Sequence, residues 1–73
     1  MNTLCDLARG GRARVLRISG SDEITLRLLE MGLTPGAEVT LVGTAPLGDP
    51  LELEVRGYRL SIRRCEAERV EIQ

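Results

Sequence analysis

The sequence predicts a mainly β domain in which five short strands close into a small barrel, with one inserted α-helix and a short C-terminal helical turn. Three observations predict it: strict alternation of apolar and polar residues in the C-terminal half, one amphipathic helical pattern, and a length of 73 residues. A chain this short buries about 60% of the surface that its unfolded form exposes, which allows one core. Five strands with one apolar face and a single helix to cover it are expected to curl. We therefore predict one domain over residues 1–73.

The clearest pattern is a β-hairpin. Apolar residues occupy alternate positions over residues 51–55 and again over residues 58–62, which is the period of a half-buried strand. If Arg56-Gly57 forms a two-residue turn, all the apolar pairs fall on one face. The predicted pairs are Val55 with Tyr58, Leu53 with Leu60, and Leu51 with Ile62, while Glu54 faces Arg59 on the solvent side.

The other elements are predicted from β-branched residues, short apolar spacings and turn residues. Strands are expected over residues 12–18, 38–44 and 70–72, and single helical turns over residues 3–7 and 64–69. Gly-rich segments around Gly10 and Pro35 lack the Lys and Ser/Thr of a phosphate-binding loop, so we interpret them as turns.

A helix is predicted after Gly20. Ser21 is the expected N-cap, and two acidic residues in the first turn suit the helix dipole. Apolar residues at helical spacing form a narrow core-facing stripe, which consists of Ile24, Leu28 and Met31.

The helix stop is a second strong local signal. Gly32 follows the last periodic residue, Met31, where a left-handed conformation closes a helix, and Pro35-Gly36 forms the next turn. We interpret Met31, Gly32, Pro35 and Gly36 as a structural signature that sets how the helix sits on the barrel.

The composition argues against an enzyme. The chain has no His, which removes the usual nucleophilic sites and the commonest transition-metal ligand. Pairs of carboxylates such as Glu66 with Glu68 are interpreted as solvated charges and not as a cation site. Cys5 and Cys65 are expected to be unpaired and inert, although a soft metal shared between chains stays an alternative. We therefore predict no catalytic residues, no metal site and no cofactor.

The charge pattern also limits the partners. Ten Arg balance eleven acids, and Tyr58 is the single aromatic residue, so neither a nucleic-acid footprint nor a polybasic membrane patch is indicated. No apolar run approaches the length of a membrane span, and a signal peptide is not evident. We expect a cytoplasmic protein without direct membrane insertion.

Two groups of residues are candidates for contact with another protein. Leu26 and Leu29 form an apolar pair opposite the core stripe, and the loop from Pro46 to Pro50 exposes Leu47 between two prolines. We define the docking surface as these two groups: Leu26, Leu29, Pro46, Leu47, Gly48, Asp49 and Pro50. Asp49 also suits a turn-forming role.

The helix stop and the Pro-rich loop together resemble one family. The matching segments are Leu28 to Gly36, Ala45 to Pro50, Arg56-Gly57-Tyr58 and Leu60 to Arg63, and the similarity runs from about Leu4 to the C-terminus. On these residues the chain resembles the FeoA family. The resemblance implies a Src-homology-3-like barrel with an inserted helix, no settled enzymatic activity, and a role beside FeoB, a ferrous iron permease with a cytosolic G-protein domain.

The leading functional hypothesis is a non-enzymatic accessory protein of ferrous iron uptake that docks on FeoB, through its cytosolic part, and modulates its activity. Two alternatives belong to other classes. One is the regulatory barrel domain of an iron-dependent repressor, for which the chain lacks a helix-turn-helix and a His-bearing metal site. The other is a metal-bridged oligomer that stores or passes iron through Cys5 and Cys65.

Overall fold

The five predicted strands form one antiparallel sheet. The computed structural model describes residues 2–73, so Met1, the first residue of the predicted domain, lies outside the described residues. The strands are β1 (Arg12–Ile18), β2 (Glu38–Thr44), β3 (Leu51–Val55), β4 (Tyr58–Ile62) and β5 (Val70–Ile72), in the spatial order β4-β3-β2-β1-β5. The helices are α1 (Glu23–Glu30) and α2 (Arg64–Ala67), and a 3-10 turn spans Leu4–Asp6. The predicted strands, the helix and both helical turns are confirmed.

The sheet curls around a single core. Register shifts in β1, between Val15 and Arg17, and in β2, between Leu41 and Gly43, bend both central strands. Every strand contributes buried side chains to one apolar cluster, which a flat sheet could not arrange. The cluster includes Val15, Val39, Leu53, Ile62 and Val70, one from each strand. The predicted barrel is therefore confirmed.

The hairpin has the predicted register but a shorter apolar face. All predicted pairs between β3 and β4 are present, and positive φ angles of 54° at Arg56 and 84° at Gly57 identify a two-residue turn of the primed type. Tyr58 lies opposite Val55 as predicted. It is nevertheless 74% exposed, whereas Val55 is buried. The reason is that β4 is an edge strand, and Tyr58, its first residue after the hairpin turn, lies beyond the core.

The start of α1 differs from the prediction by one residue. Asp22, not Ser21, is the N-cap, and its Oδ1 accepts the amide hydrogen of Thr25 at 3.2 Å. Asp22 also accepts a hydrogen bond from Nη1 of Arg69 at 2.7 Å. This contact holds the carboxylate at the helix start and explains why Asp22 takes the capping position.

The predicted core stripe of α1 is confirmed and proves wider. Leu28 is fully buried, and Ile24 and Met31 are half-buried against the core. Thr25 is also buried. Its hydroxyl donates to the carbonyl of Ser19 at 3.1 Å. A polar residue enters the buried face here because the chain leading into α1 supplies its acceptor.

The structural signature forms two linked turns. Gly32, with φ of 106°, ends α1 in a Schellman motif, in which its amide donates to Leu29 and the amide of Leu33 donates to Leu28. Pro35 and Gly36 then occupy the centre of a tight turn, and the Gly36 amide donates to the carbonyl of Val15 at 2.7 Å. These bonds tie the end of α1 to β1.

Candidate docking surface and adjoining cleft

The two leucines of α1 in the docking surface differ in accessibility. Leu26 is 60% exposed, whereas Leu29 is half-buried. Leu26 therefore offers more apolar surface to a partner.

The Pro-rich loop is firmly held and presents one apolar side chain. Its anchor is Arg64 at the start of α2, whose amide donates to Oδ1 of Asp49 at 3.0 Å and whose Nη1 donates to the carbonyl of Gly48 at 3.2 Å. Leu47 projects from this anchored loop with 96% of its side chain exposed. Because the loop is already ordered, burying Leu47 against a partner costs little additional conformational entropy. Asp49 therefore anchors the loop and satisfies the first amide of α2.

The loop and α1 border the same cleft, which has a volume of about 600 Å³. Its apolar lining consists of Met31, Pro50 and Ile62, and the other lining residues are Arg27, Asp49, Ser61, Arg63 and Glu66. The structure therefore brings α1 and the loop, two distant parts of the sequence, to one concave surface. No local pattern in the sequence indicates this cleft.

Glu66 is the best-satisfied charge at this cleft. The interpretation of Glu66 as a solvated charge is wrong, since the residue is 6% exposed, while Glu68 is exposed. Its carboxylate pairs with the guanidinium of Arg27 on α1 and accepts the amide hydrogen of Arg63 at 2.9 Å. Burial of this carboxylate depends on a partner 39 positions earlier in the chain, and no local pattern signals such a pairing.

The two cysteines lie in different environments. Cys5 is half-buried and its Sγ donates to the carbonyl of Arg64 at 3.5 Å, whereas Cys65 is exposed, and both thiols are free. Burial raises the pKa of the Cys5 thiol, against the opposing effect of the Arg64 charge. In the described residues 2–73, no three His, Cys, Asp or Glu side chains are grouped so that they could hold a metal ion.

The helices of this fold are short. Across the part of the chain that the structure describes, none has both the length and the apolar character needed to cross a bilayer.

The family is established by comparison with known proteins. A family model described as the FeoA domain matches residues 2–73. This chain belongs to the FeoA family. A Fe(2+) transport protein A/Fe(2+) transporter FeoB fusion protein of Porphyromonas gingivalis is 36% identical over 70 residues, which are 96% of this FeoA-family chain. The chain spans 8% of the length of that relative.

Solved FeoA structures share the fold. The iron(II) transport protein A of Clostridium thermocellum superposes with a TM-score of 0.93 at 35% identity, over 99% of this chain and 44% of that one. The FeoA protein of Chlorobium tepidum gives 0.90 at 37% identity, over 97% and 68% of the two chains. Stenotrophomonas maltophilia FeoA complexed with zinc, described as an SH3 domain protein, gives 0.88 at 34% identity, over 100% and 91%. The Src-homology-3-like fold is thereby confirmed.

The same fold occurs in a more distant protein. ScaR with bound Cd²⁺ superposes with a TM-score of 0.86 over 100% of this FeoA-family chain and 35% of its own, at 19% identity. At this identity the likeness concerns the fold alone. It adds nothing in favour of the repressor alternative.

Proposed function

We propose that this chain is a non-enzymatic cytosolic accessory protein of ferrous iron uptake, which docks on the permease FeoB and modulates its activity. The observation that carries the proposal is the P. gingivalis relative, in which a segment 36% identical to this chain belongs to a protein named as a fusion with FeoB. Fusion places two modules at high effective concentration, which is useful when they act on each other. We infer that separate chains of this family meet FeoB through a binding surface.

The docking surface supports this proposal. Leu26 and Leu47 are the two most exposed leucines of the described chain, and the loop that carries Leu47 is anchored to α2 by Arg64. Apolar side chains on ordered elements contribute to binding through burial without a large ordering cost. The cleft, which Asp49 and Pro50 of this surface line, offers a recess for a side chain of the partner.

The chemistry of the cleft supports a binding role in preference to catalysis. The carboxylate of Glu66 is engaged by Arg27 and by the amide of Arg63, and Asp49 accepts the amide hydrogen of Arg64. Both acids make structural contacts, and the chain has no His, the residue that most often acts as a general acid or base.

Binding to FeoB from the same organism tests the proposal. The purified chain is titrated onto full-length FeoB in nanodiscs, and onto its cytosolic part, in the GTP-bound, GDP-bound and nucleotide-free states. We expect saturable binding in at least one state and a change in GTP hydrolysis or in iron uptake by FeoB-containing vesicles. Absence of binding in every state, together with unchanged iron uptake, would overturn the proposal.

Variants of the docking surface locate the contact. Leu26→Asp and Leu47→Asp are each expected to weaken binding about tenfold or more without lowering the Tm, because both side chains are exposed. The matched control is Leu16→Asp, which places the same charge on a 43% exposed leucine of β1 outside the docking surface. Equal losses in all three variants would mean that added negative charge, and not this surface, is responsible. Leu29→Asp separates contact from folding, since a lowered Tm assigns this half-buried residue to the fold.

A further inference from the structure

The two edge strands of the sheet, β5 and β4, differ in whether another segment of the chain covers them. At the β5 edge, Thr3 bridges to Glu71 and the amide of Ile72 donates to the carbonyl of Asn2 at 2.9 Å, so the N-terminal segment covers this strand. At the other edge, among the residues that the structure describes, β4 pairs with β3 alone. An uncovered edge strand offers backbone donors and acceptors that another strand can use.

The free backbone groups of β4 can be assigned from its register. In a two-residue hairpin the residues flanking the turn exchange hydrogen bonds, and such pairs alternate along an antiparallel ladder. Tyr58, Leu60 and Ile62 therefore bond to β3, while the amides and carbonyls of Arg59 and Ser61 point outward. Within residues 2–73, no further backbone or side-chain group bonds to these four outward groups.

Arg63, the next residue whose backbone groups are expected to point away from β3, agrees with this assignment. The amide of Arg63 donates to Oε1 of Glu66 at 2.9 Å, and its carbonyl accepts from the amides of Glu66 and Ala67. The outward groups of Arg63 are thus used by α2. The open edge consists of Arg59 and Ser61, both of which are exposed.

The side chains along this edge define the chemistry of a suitable partner. Residues 58–64 include three arginines and no acid, and within residues 2–73 no carboxylate oxygen lies within 4.0 Å of the guanidinium nitrogens of Arg59, Arg63 or Arg64. The opposite face of β4 carries Leu60 and Ile62 beside the core. The strand that already pairs with β4 has matching chemistry, because β3 alternates apolar residues with glutamates and sets Glu54 against Arg59.

We propose that the open edge of β4 binds an extended acidic segment of another protein, in which carboxylates alternate with apolar residues, by adding it to the sheet as a sixth strand. Its backbone bonds to Arg59 and Ser61, its carboxylates lie on the face that carries the arginines, and its apolar side chains lie on the face of Leu60. The cleft described above continues this edge, because Ser61, Ile62 and Arg63 are among its lining residues. An apolar side chain at the end of the added strand enters the cleft beside Met31 and Pro50. This inference goes beyond docking on FeoB and does not depend on it.

A peptide experiment with the purified chain tests strand addition. The probe is a capped nine-residue peptide with Glu at alternate positions and Leu or Val between them, and the control peptide has Lys in place of Glu. Amide hydrogen exchange measured by NMR is the decisive readout. We expect the Glu peptide to protect the amides of Arg59 and Ser61 while leaving that of Leu60, which already bonds to β3, unchanged.

Two variants separate the backbone contribution from the charge contribution. Ser61→Pro removes an outward donor without removing a bond to β3, and is expected to weaken the Glu peptide roughly threefold to tenfold, whereas Ser61→Ala retains the donor and the affinity. Arg59→Glu with Arg63→Glu is expected to weaken the Glu peptide at least about tenfold and to favour the Lys peptide. The Tm of each variant is measured, and the Arg double variant keeps the test valid if Ser61→Pro unfolds the chain.

Three results would overturn the proposal. The first is absence of Glu-peptide binding at millimolar concentration, and the second is binding without protection of the Arg59 and Ser61 amides. The third is protection of these amides that grows with protein concentration in the absence of peptide, because a second copy of the chain would then be the occupant of the edge. Each result leaves the FeoB titrations unaffected, so failure here is distinguishable from failure of the proposed function.

Discussion

At the scale of single residues, Asp22 shows how one side chain can join two distant parts of the chain. Its carboxylate caps α1 through the amide of Thr25 and binds Arg69, which precedes β5. The hydrogen bond from Arg69, followed by that from the Thr25 amide, lowers the pKa of Asp22 below its ordinary value of 3.8. A carboxyl with a lowered pKa in the folded state stabilises the fold above its unfolded pKa, and this stabilisation is lost as the pH falls through the folded pKa.

Replacing the cap tests this role. We expect Asp22→Ala to lower the Tm by a few degrees at neutral pH, because the helix loses its cap and Arg69 loses its partner. The difference from the wild type should shrink as the pH falls below 3.8, since the wild-type carboxylate is then becoming protonated. Thermal unfolding followed by circular dichroism across this pH range measures both effects. Ser21→Ala is the control and should leave the Tm unchanged; a difference that persists undiminished in acid would contradict the pairing.

Gly32 is a second residue with a specific conformational demand. An added Cβ would meet Cγ1 of Val55 at an ordinary contact distance of 3.7 Å, so space is available. The φ of 106° is nevertheless unfavourable for any side chain. The requirement for glycine is therefore a backbone requirement.

This requirement predicts the outcome of alanine substitution. Gly32→Ala is expected to lower the free energy of unfolding by about 1–3 kcal/mol through backbone strain. Gly43→Ala in β2 is the matched control, since its φ is not positive and the nearest atom to its new Cβ is the end of the Arg9 side chain; a change within about 0.5 kcal/mol is expected there. Urea denaturation measures both values. Equal effects at the two positions would show that the added methyl group, and not the dihedral angle, matters.

At the scale of elements, α1 and α2 are joined by one ion pair across the cleft. Glu66 is buried and also accepts the Arg63 amide, whereas 59% of the Arg27 side chain is exposed. Removing the exposed partner would leave a buried carboxylate with one hydrogen bond. The cost of such an unpaired buried charge exceeds the small contribution of a surface ion pair.

Two arginine substitutions distinguish these cases. Arg27→Met is expected to lower the free energy of unfolding by about 1–3 kcal/mol, because Glu66 loses its counterion. Arg12→Met removes an exposed pair with Glu38 whose atoms are 4.0 Å apart, and should cost less than about 1 kcal/mol. Chemical denaturation compares the two variants. If Arg12→Met were as destabilising as Arg27→Met, burial of Glu66 would not be the cause.

At the scale of the whole molecule, the two ends of the chain close the fold together. Leu4 is fully buried in the core cluster, and residues 2 and 3 lie along β5. The N-terminal segment thereby covers one edge of the sheet, while β4 at the other edge stays open. This asymmetry is a property of the complete fold.

Truncation of Leu4 tests the contribution of this closure. We expect Leu4→Ala to lower the free energy of unfolding by about 2–5 kcal/mol, which is typical of a fully buried leucine. Leu47→Ala is the control, because a side chain that is 96% exposed should change stability by less than about 0.5 kcal/mol. Equilibrium unfolding in urea gives both values. A small effect of Leu4→Ala would show that the N-terminal segment is dispensable for the core.

Local sequence patterns are sufficient to predict the strands, the hairpin register and the end of α1. Each of these depends on local physics: period-two alternation over 51–55 and 58–62, the turn at Arg56-Gly57, and the left-handed preference of Gly32. Helical spacing and loop composition also predict the leucines of the docking surface, but these patterns do not distinguish the exposed Leu26 from the half-buried Leu29.

Contacts between groups that are distant in the chain are seen only in the folded structure. The burial of Glu66 requires Arg27, the capping position of Asp22 is supported by Arg69, and the exposure of Tyr58 follows from the edge position of β4. The cleft between α1 and the Pro-rich loop has the same origin. These features arise from contacts between residues far apart in the chain, whereas periodicity and turn chemistry report only on neighbours.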